Sequence, residues 1–310
     1  MDSVAPLANI LDITGEARLA MNADKATAFV IITLIEHHLQ AHSLHEFFWR
    51  SDMALSTLSR SISGEVAIVT GAASGMGRAT AHLFGDEGAR VALIDINSEA
   101  LEAVVKEMTD VGYDAKGWVL DLSDADAIHK VIGEIGEHFG GIDILVNNAG
   151  ISIPTPIDSD EYPSAWDKGL SVLLTAHTHT IRAALPFLRQ SAHGRIVNIA
   201  STEALGATRF GSPYTAAKTG VTGLTRSLAV ELGPENITVN CICPGPIRTG
   251  MTDAIPEENK IIFAKRRTAL RRYAEPEEVA HGTLSFVLPA SQYITGAVLP
   301  VDGGLTIRNA

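Results

Sequence analysis

Tyr214 and Lys218 stand four residues apart in a stretch of helical character, so their side chains share one face. An ammonium beside a phenol favours the phenolate and is expected to lower the tyrosine pKa from about 10. Tyr214 is then a candidate general acid/base near neutral pH. Ser201 lies 13 residues upstream, at the end of an apparent strand. Its hydroxyl can bond a substrate oxygen and hold it against the phenol. A Tyr-x-x-x-Lys pair alone is common on solvated helix faces; Ser201 and a nucleotide loop in the same chain raise its meaning.

That loop reads Thr70-Gly71-Ala72-Ala73-Ser74-Gly75-Met76-Gly77, directly after the first β-branched run. Glycines allow a tight turn and let backbone approach a pyrophosphate, and the following helix offers free N–H groups at its positive end. Gly71, Ser74, Gly75, Met76 and Gly77 are the candidate phosphate cradle. Asp95 ends the second apparent strand, 18 residues after Gly77. A carboxylate there accepts bonds from ribose hydroxyls and repels a 2′-phosphate. Ser74 and Asn97 place no cation nearby, so the expected cofactor is NAD rather than NADP.

With these residues the sequence resembles the short-chain dehydrogenase/reductase family, in its NAD(P)-dependent form of roughly 250 residues, a size one core can hold. The matching motifs are Thr70–Gly77, Asp121-Leu122, Asn147-Asn148-Ala149-Gly150, Ser201 with Tyr214-Thr215-Ala216-Ala217-Lys218, Pro244-Gly245-Pro246-Ile247-Arg248-Thr249, Glu275–Ala280 and Asp302-Gly303-Gly304. They run in family order from about residue 62 to 306.

The resemblance implies that Asp121 and Leu122 contact the adenine, and that Asn148, Ala149 and Gly150 lie along the cofactor. Lys218 also binds the nicotinamide ribose, and Ile247 and Thr249 hold the carboxamide and phosphates. Ile96, Pro244 and Gly245 join the cofactor set. By the same analogy Ser152, Ile153, Glu203, Leu205 and Phe210 line the substrate pocket. The expected assembly is a homotetramer, with a homodimer as the alternative. One departure stands out: Leu173 occupies the place where the family carries an Asn thought to hold a water linking the lysine to solvent. Either another group supplies that relay or catalysis is slower.

The elements needed to position these residues are legible. Apparent strands at 66–70, 91–95, 116–120, 142–146, 195–200, 238–242 and 297–300 alternate with helical stretches such as 75–87, 98–111 and 124–139. Several strands lack polar alternation, as parallel strands covered on both faces do. The expected fold is α/β: a Rossmann-type doubly wound sheet flanked by helices. By family analogy it has seven strands. Residues 61–310 form this domain, and residues 1–60 a mostly helical N-terminal extension of unknown role. In that extension His38, His42 and His45 fall on one helical face. Such spacing can bind zinc, but nothing clearly completes a site and no metal is expected.

The formal net charge is −12, from 24 basic and 36 acidic residues. That balance argues against a nucleic-acid partner, which needs clustered cations. A local exception is Lys260, Lys265, Arg266, Arg267, Arg271 and Arg272, a run without an acid that suggests either a lid attracting an anionic substrate or a solvated helix. No apolar stretch reaches the roughly 18 residues of a membrane helix. The two cysteines, Cys241 and Cys243, share a strand face, a poor geometry for a disulfide. A cytoplasmic setting is expected.

The expected reaction is NAD-linked interconversion of a secondary alcohol and a ketone. The rival readings are a catalytically weak NAD-binding regulator, suggested by Leu173, and a dehydratase or epimerase on the same fold.

Overall fold

In the computed structural model the described residues are 57–309. Seven strands alternate with helices: β1 Val66–Thr70, α1 Gly75–Asp86, β2 Arg90–Asp95, α2 Ser98–Asp110, β3 Ala115–Val119, α3 Ala125–Phe139, β4 Ile144–Asn147 and α4 Tyr162–Leu170. A π-turn, Ser171–Thr175, joins α4 to α5 Ala176–Leu188. Then follow β5 Arg195–Ile199, α6 Ser212–Leu232, β6 Thr238–Pro244, α7 Glu257–Arg267, α8 Pro276–Val287 and β7 Val298–Val301. The compact unit that contains them runs Leu58–Ala310. The helical reading of the N-terminal extension and the histidines at 38, 42 and 45 lie outside the described residues.

The strands pair in parallel in the order β3-β2-β1-β4-β5-β6-β7. The order reverses direction between β1 and β4, which opens a crevice at their C-terminal ends. The seven-stranded Rossmann-type expectation is met.

Burial on both faces explains the unbroken apolar strands. In β1, Ala67 and Val69 enter one core with Phe84 of α1 and Val279 of α8. Val66 and Ile68 enter the other, with Ile128, Ile132 and Ile135 of α3 and Leu188 of α5. Alternate residues thus face opposite layers of helices. Helix α3 illustrates how sequence sets an element. Asp124 caps it, accepting bonds from the N–H groups of Asp126 (3.1 Å) and Ala127 (3.0 Å). Gly140 ends it in the left-handed region, φ 80°. Its isoleucines recur at helical spacing, so Ile132→Ala would cost about 2–5 kcal/mol.

Expected and observed elements differ mainly at their ends. β4 begins at Ile144 rather than 142, because the Asp143 carboxylate accepts the Val66 N–H (2.8 Å) and the Ser191 hydroxyl (2.5 Å). β6 extends to Pro244, where a proline still accepts through its carbonyl. Cys241 and Cys243 are both buried and unbridged.

Candidate active site

Two loops meet in the crevice. Thr70, the last residue of β1, ties them: its hydroxyl oxygen accepts the N–H groups of Asn148 (2.9 Å) and Ala149 (3.0 Å). The Asn148 amide donates back to the Thr70 carbonyl (2.8 Å). This clamp brings the glycine loop and Asn148–Gly150 so close that side chains are excluded. A Cβ on Gly77 would lie 2.0 Å from the Gly71 carbonyl oxygen. Gly71 has φ +66°, and its Cβ would lie 2.8 Å from the Ala149 Cα.

The N-terminus of α1 suits a diphosphate. Ser74 makes no side-chain cap and the first turn holds no acid, so the N–H groups there have no side-chain competitor. The Asp95 carboxylate is held by backbone: one oxygen accepts the Ala73 N–H (3.0 Å), the other the Asn97 N–H (2.9 Å). It is thereby fixed beside the loop, with its remaining lone pairs open to hydroxyls. These features fit a dinucleotide.

A cavity of about 800 Å³ follows this path. Gly71, Ser74, Gly75, Met76, Asp95, Ile96, Asp121 and Leu122 line one part of it. Asn148, Ala149, Gly150, Tyr214, Lys218 and Thr249 line the rest. The Asp121 carboxyl is held below its ordinary range, chiefly by the Ser123 N–H, with the Ser123 hydroxyl and Lys168 adding to the effect. Gly77, Pro244 and Ile247 are buried behind the wall and do not line it, while Gly245 lines the neighbouring cavity.

Several lining residues escape motif reading. Leu120, Ser123 and Ile151 follow strand ends, and the rule that ligands bind outside the carboxyl ends of parallel strands would have found them. Asp167, Lys168, Ser171 and Val172 come from α4 and the π-turn. They arrive by packing of α4 against α6, for which no local signal exists.

A second cavity, of about 540 Å³, adjoins the first, and Tyr214 and Met251 line both. Ser201 lines the second with Ser152, Ile153 and Glu203. Leu205 and Phe210 do not line it: both are exposed. Phe210 sits at φ 65°, with its carbonyl accepting the Thr155 N–H (2.8 Å) and its ring stacked under Arg209. That stacking commits its ring to Arg209, and Arg209 is the residue that lines the cavity. The basic run also stays out. Helix α7 presents Asn259 and Phe263, one turn apart, while Lys260 is buried and Arg272 pairs with Glu278 at 2.6 Å. The lid-like reading of those cations therefore has no lining residue behind it.

Ser201, Tyr214 and Lys218 converge. The Ser201 hydroxyl oxygen accepts the Glu203 N–H (3.1 Å) and lies on the phenol's side of the site, close enough to pull the Tyr214 pKa down. Lys218 is buried; its ammonium donates to the Ile199 carbonyl (2.7 Å) and sits 5.8 Å from the Tyr214 ring centre. The expected lowering of the phenol pKa by this ammonium is not found. Burial pushes Tyr214 above its ordinary range, Ser201 pulls it back, and Glu203 and Cys243 add to the upward push. Burial also lowers Lys218 to about 8, against the opposing pull of Cys241 and Cys243. Desolvation, the largest influence on the phenol, outweighs a cation whose ammonium is turned toward a carbonyl.

Leu173 is fully buried in the π-turn. Its Cδ2 lies 3.4 Å, and the Lys218 ammonium 3.9 Å, from the point a Cβ on Gly150 would occupy.

Comparison with known proteins agrees with this fold. The family model described as enoyl-(acyl carrier protein) reductase matches residues 71–306. A 3-oxoacyl-[acyl-carrier-protein] reductase of Thermotoga maritima is 38% identical over 250 residues, covering 79% of this chain and 99% of its own. A 3-alpha-(or 20-beta)-hydroxysteroid dehydrogenase of Mycobacterium bovis is 40% identical over 247 residues, covering 80% and 91%. The crystal structure of a dehydrogenase/reductase from Sinorhizobium meliloti superimposes with a TM-score of 0.75 at 37% identity, covering 81% of this chain and 98% of that one.

Proposed function

The chain belongs to the short-chain dehydrogenase/reductase family, whose members are oxidoreductases acting on CH–OH groups with NAD(H) or NADP(H), and from that premise we propose that it is an NAD-dependent enzyme interconverting a secondary alcohol and a ketone. The observation that carries this reading is Tyr214 at the junction of the two cavities, with Ser201 beside its hydroxyl and Lys218 behind it.

When bound, the nicotinamide supplies the hydride chemistry. The chain does the rest. In oxidation Tyr214 takes the hydroxyl proton, and Ser201 donates to the oxygen as charge develops on it. Lys218, charged at neutral pH, stands behind the Tyr214 ring and binds the ribose. Gly71, Ser74, Gly75 and Met76 hold the diphosphate, with Gly77, Pro244, Gly245 and Ile247 shaping the wall. Asp121, Leu122 and Ile96 surround the adenine, and Asn148–Gly150 with Thr249 complete the path. Asp95 selects NAD: its fixed carboxylate favours two ribose hydroxyls and repels a phosphate.

The substrate meets Ser152, Ile153 and Glu203, with Arg209 the one cation on that wall among the described residues. A homotetramer is the assembly this reading carries, which light scattering checks. Two buried, unbridged cysteines suit a reducing cytoplasm.

The test is Tyr214→Phe in an NAD-linked screen over sugars, hydroxy acids, steroids and diols. Turnover is expected to fall by roughly 10²–10⁴-fold, with NADH binding by fluorescence retained. NADH binding by the unaltered protein without any substrate-dependent turnover would instead favour the regulatory reading, and product formed without net NADH the dehydratase or epimerase.

A further inference from the structure

The cavity beyond Tyr214 has walls of two kinds. Met251, Ile255 and Phe263 line it and are all exposed, so an apolar group seated there would take them out of water. Its polar lining includes Ser201 and Tyr214, and Arg209 supplies its positive charge.

Arg209 is set in place by its neighbours. Its guanidinium carbon lies 4.4 Å from the centre of the Phe210 ring, a cation–π contact that narrows the side chain's freedom. Phe210 takes the left-handed region, φ 65°, which a bulky side chain rarely adopts. Its carbonyl accepts the N–H of the buried Thr155 (2.8 Å). Thr155 follows residues 152–154, which line the same cavity. The loop that carries Arg209 is thus tied to another run of the cavity wall. A costly backbone conformation kept by a specific bond points to a demand on position.

The charge of Arg209 is not spent inside the protein. Among the described residues it has no ion pair and no hydrogen-bond acceptor, whereas Arg189, Arg248 and Arg272 each hold a glutamate. The acid on its own wall, Glu203, is engaged elsewhere. The hydroxyls of Thr208 (2.7 Å) and Thr215 (3.2 Å) donate one to each of its oxygens. The guanidinium therefore keeps its planar fork of donors for a ligand, in the cavity that Tyr214 also lines.

We propose that Arg209 determines specificity: it binds the carboxylate of a substrate whose apolar body lies on Met251, Ile255 and Phe263, so the alcohol oxidised at Tyr214 belongs to a hydroxy acid. A carboxylate matches the fork with two parallel bonds, and one cation meets its single charge. A phosphate dianion would leave a charge unmet on a wall that already holds Glu203. The proposal rests on the reading of Ser201 and Tyr214 as an NAD-linked alcohol dehydrogenase site. In the reaction the carbinol carbon loses a hydride to NAD and the hydroxyl loses its proton to Tyr214, which leaves the oxo acid with its carboxylate unchanged.

The experiment measures kcat/KM with NAD for hydroxyoctanoates bearing the hydroxyl at successive secondary carbons, and for their methyl esters, which lack the charge. The unaltered protein is expected to favour an acid over its ester by about 10–100-fold. Arg209→Gln is expected to erase that preference. Arg209→Lys, which keeps the charge but not the fork, is expected to retain part of it. Arg266→Gln removes an exposed charge of α7 that lies outside the cavity, and is expected to leave the preference whole.

A preference that survives Arg209→Gln, an equal loss in Arg266→Gln, or faster turnover of the ester or of an octanediol monophosphate would each overturn the proposal. Should neither acids nor esters turn over, calorimetry of octanoate with the full-length protein and NADH decides. Binding weakened about tenfold or more by Arg209→Gln supports the carboxylate site, and absent or unweakened binding ends it. The dehydrogenase reading is judged separately, by the wider alcohol screen, so either can fail while the other stands.

Discussion

Tyr214 begins with a phenol pushed up by burial, so whatever lowers it governs the acid limb of alcohol oxidation. Ser201 is the group in the protein that does so. Ser201→Ala removes both that support and a donor to the substrate oxygen. Oxidation is expected to slow by about 10²-fold, with its acid limb displaced to higher pH; a pH–rate profile of kcat/KM checks both. An unmoved limb would mean that Ser201 serves the substrate alone. Leu173→Asn belongs to the same scale. The two side chains are similar in size, and Leu173 and the Lys218 ammonium both lie close to Gly150. Turnover is expected to be equal or higher, and complete loss in a folded variant would show that position 173 has no part in supporting Lys218.

Between β1 and β4 the Thr70 hydroxyl is the fastener of the cofactor crevice. Thr70→Val keeps the shape and leaves two N–H groups without their acceptor. A loss of about 2 kcal/mol is expected in urea unfolding, together with weaker NADH binding as Asn148–Gly150 and the glycine loop separate. The residues of this crevice were legible because strand-end motifs are local: Gly71–Gly77, Asp95 and Asn148–Gly150 each sit where a strand stops, and the strand is written in β-branched runs. Lys168 and Ser171 were not, since their place depends on how α4 leans on α6. Leu205 and Phe210 were misplaced for a related reason. The loop after Ser201 is fixed by contacts of its own, including Arg209 over the Phe210 ring and the Thr155 bond, which analogy does not register. The phenol pKa failed in the reading because helical spacing gives proximity but not burial.

At the scale of the whole molecule, the sheet's two ends carry different loads. The C-terminal ends hold the chemistry; the opposite ends hold the half-buried Glu65 and Asp143 near the buried Arg195. Burial raises the Glu65 carboxyl to about 7, and the charge of Asp143 adds to the rise while Arg195 opposes it. A carboxyl whose folded pKa lies above its ordinary value stabilises the fold fully below that ordinary value, and the contribution is lost as pH climbs toward 7. The melting temperature of the unaltered protein is therefore expected to fall relative to Glu65→Gln from about pH 4.5 to 7. Parallel melting curves would sink the assignment.

The same edge bears on how much chain the domain needs. Ile62 is fully buried in the core that contains Val69 and Phe84, and the Ser59 carbonyl accepts the Ala290 N–H (2.8 Å). The lead-in to β1 is thus part of the sheet's packing, and a boundary at 61 would cut it. Among the described residues, 58–309 contain the seven strands, the helices on both faces and the residues lining the two cavities. A variant beginning at 58 is expected to bind NADH within about twofold of the full chain, a difference of about 0.4 kcal/mol, and to unfold in one cooperative step. Lost binding in a folded truncation would assign residues 1–57 a direct part in the site, whereas a variant beginning at 63, lacking Ile62, is expected to melt lower by the cost of that core side chain.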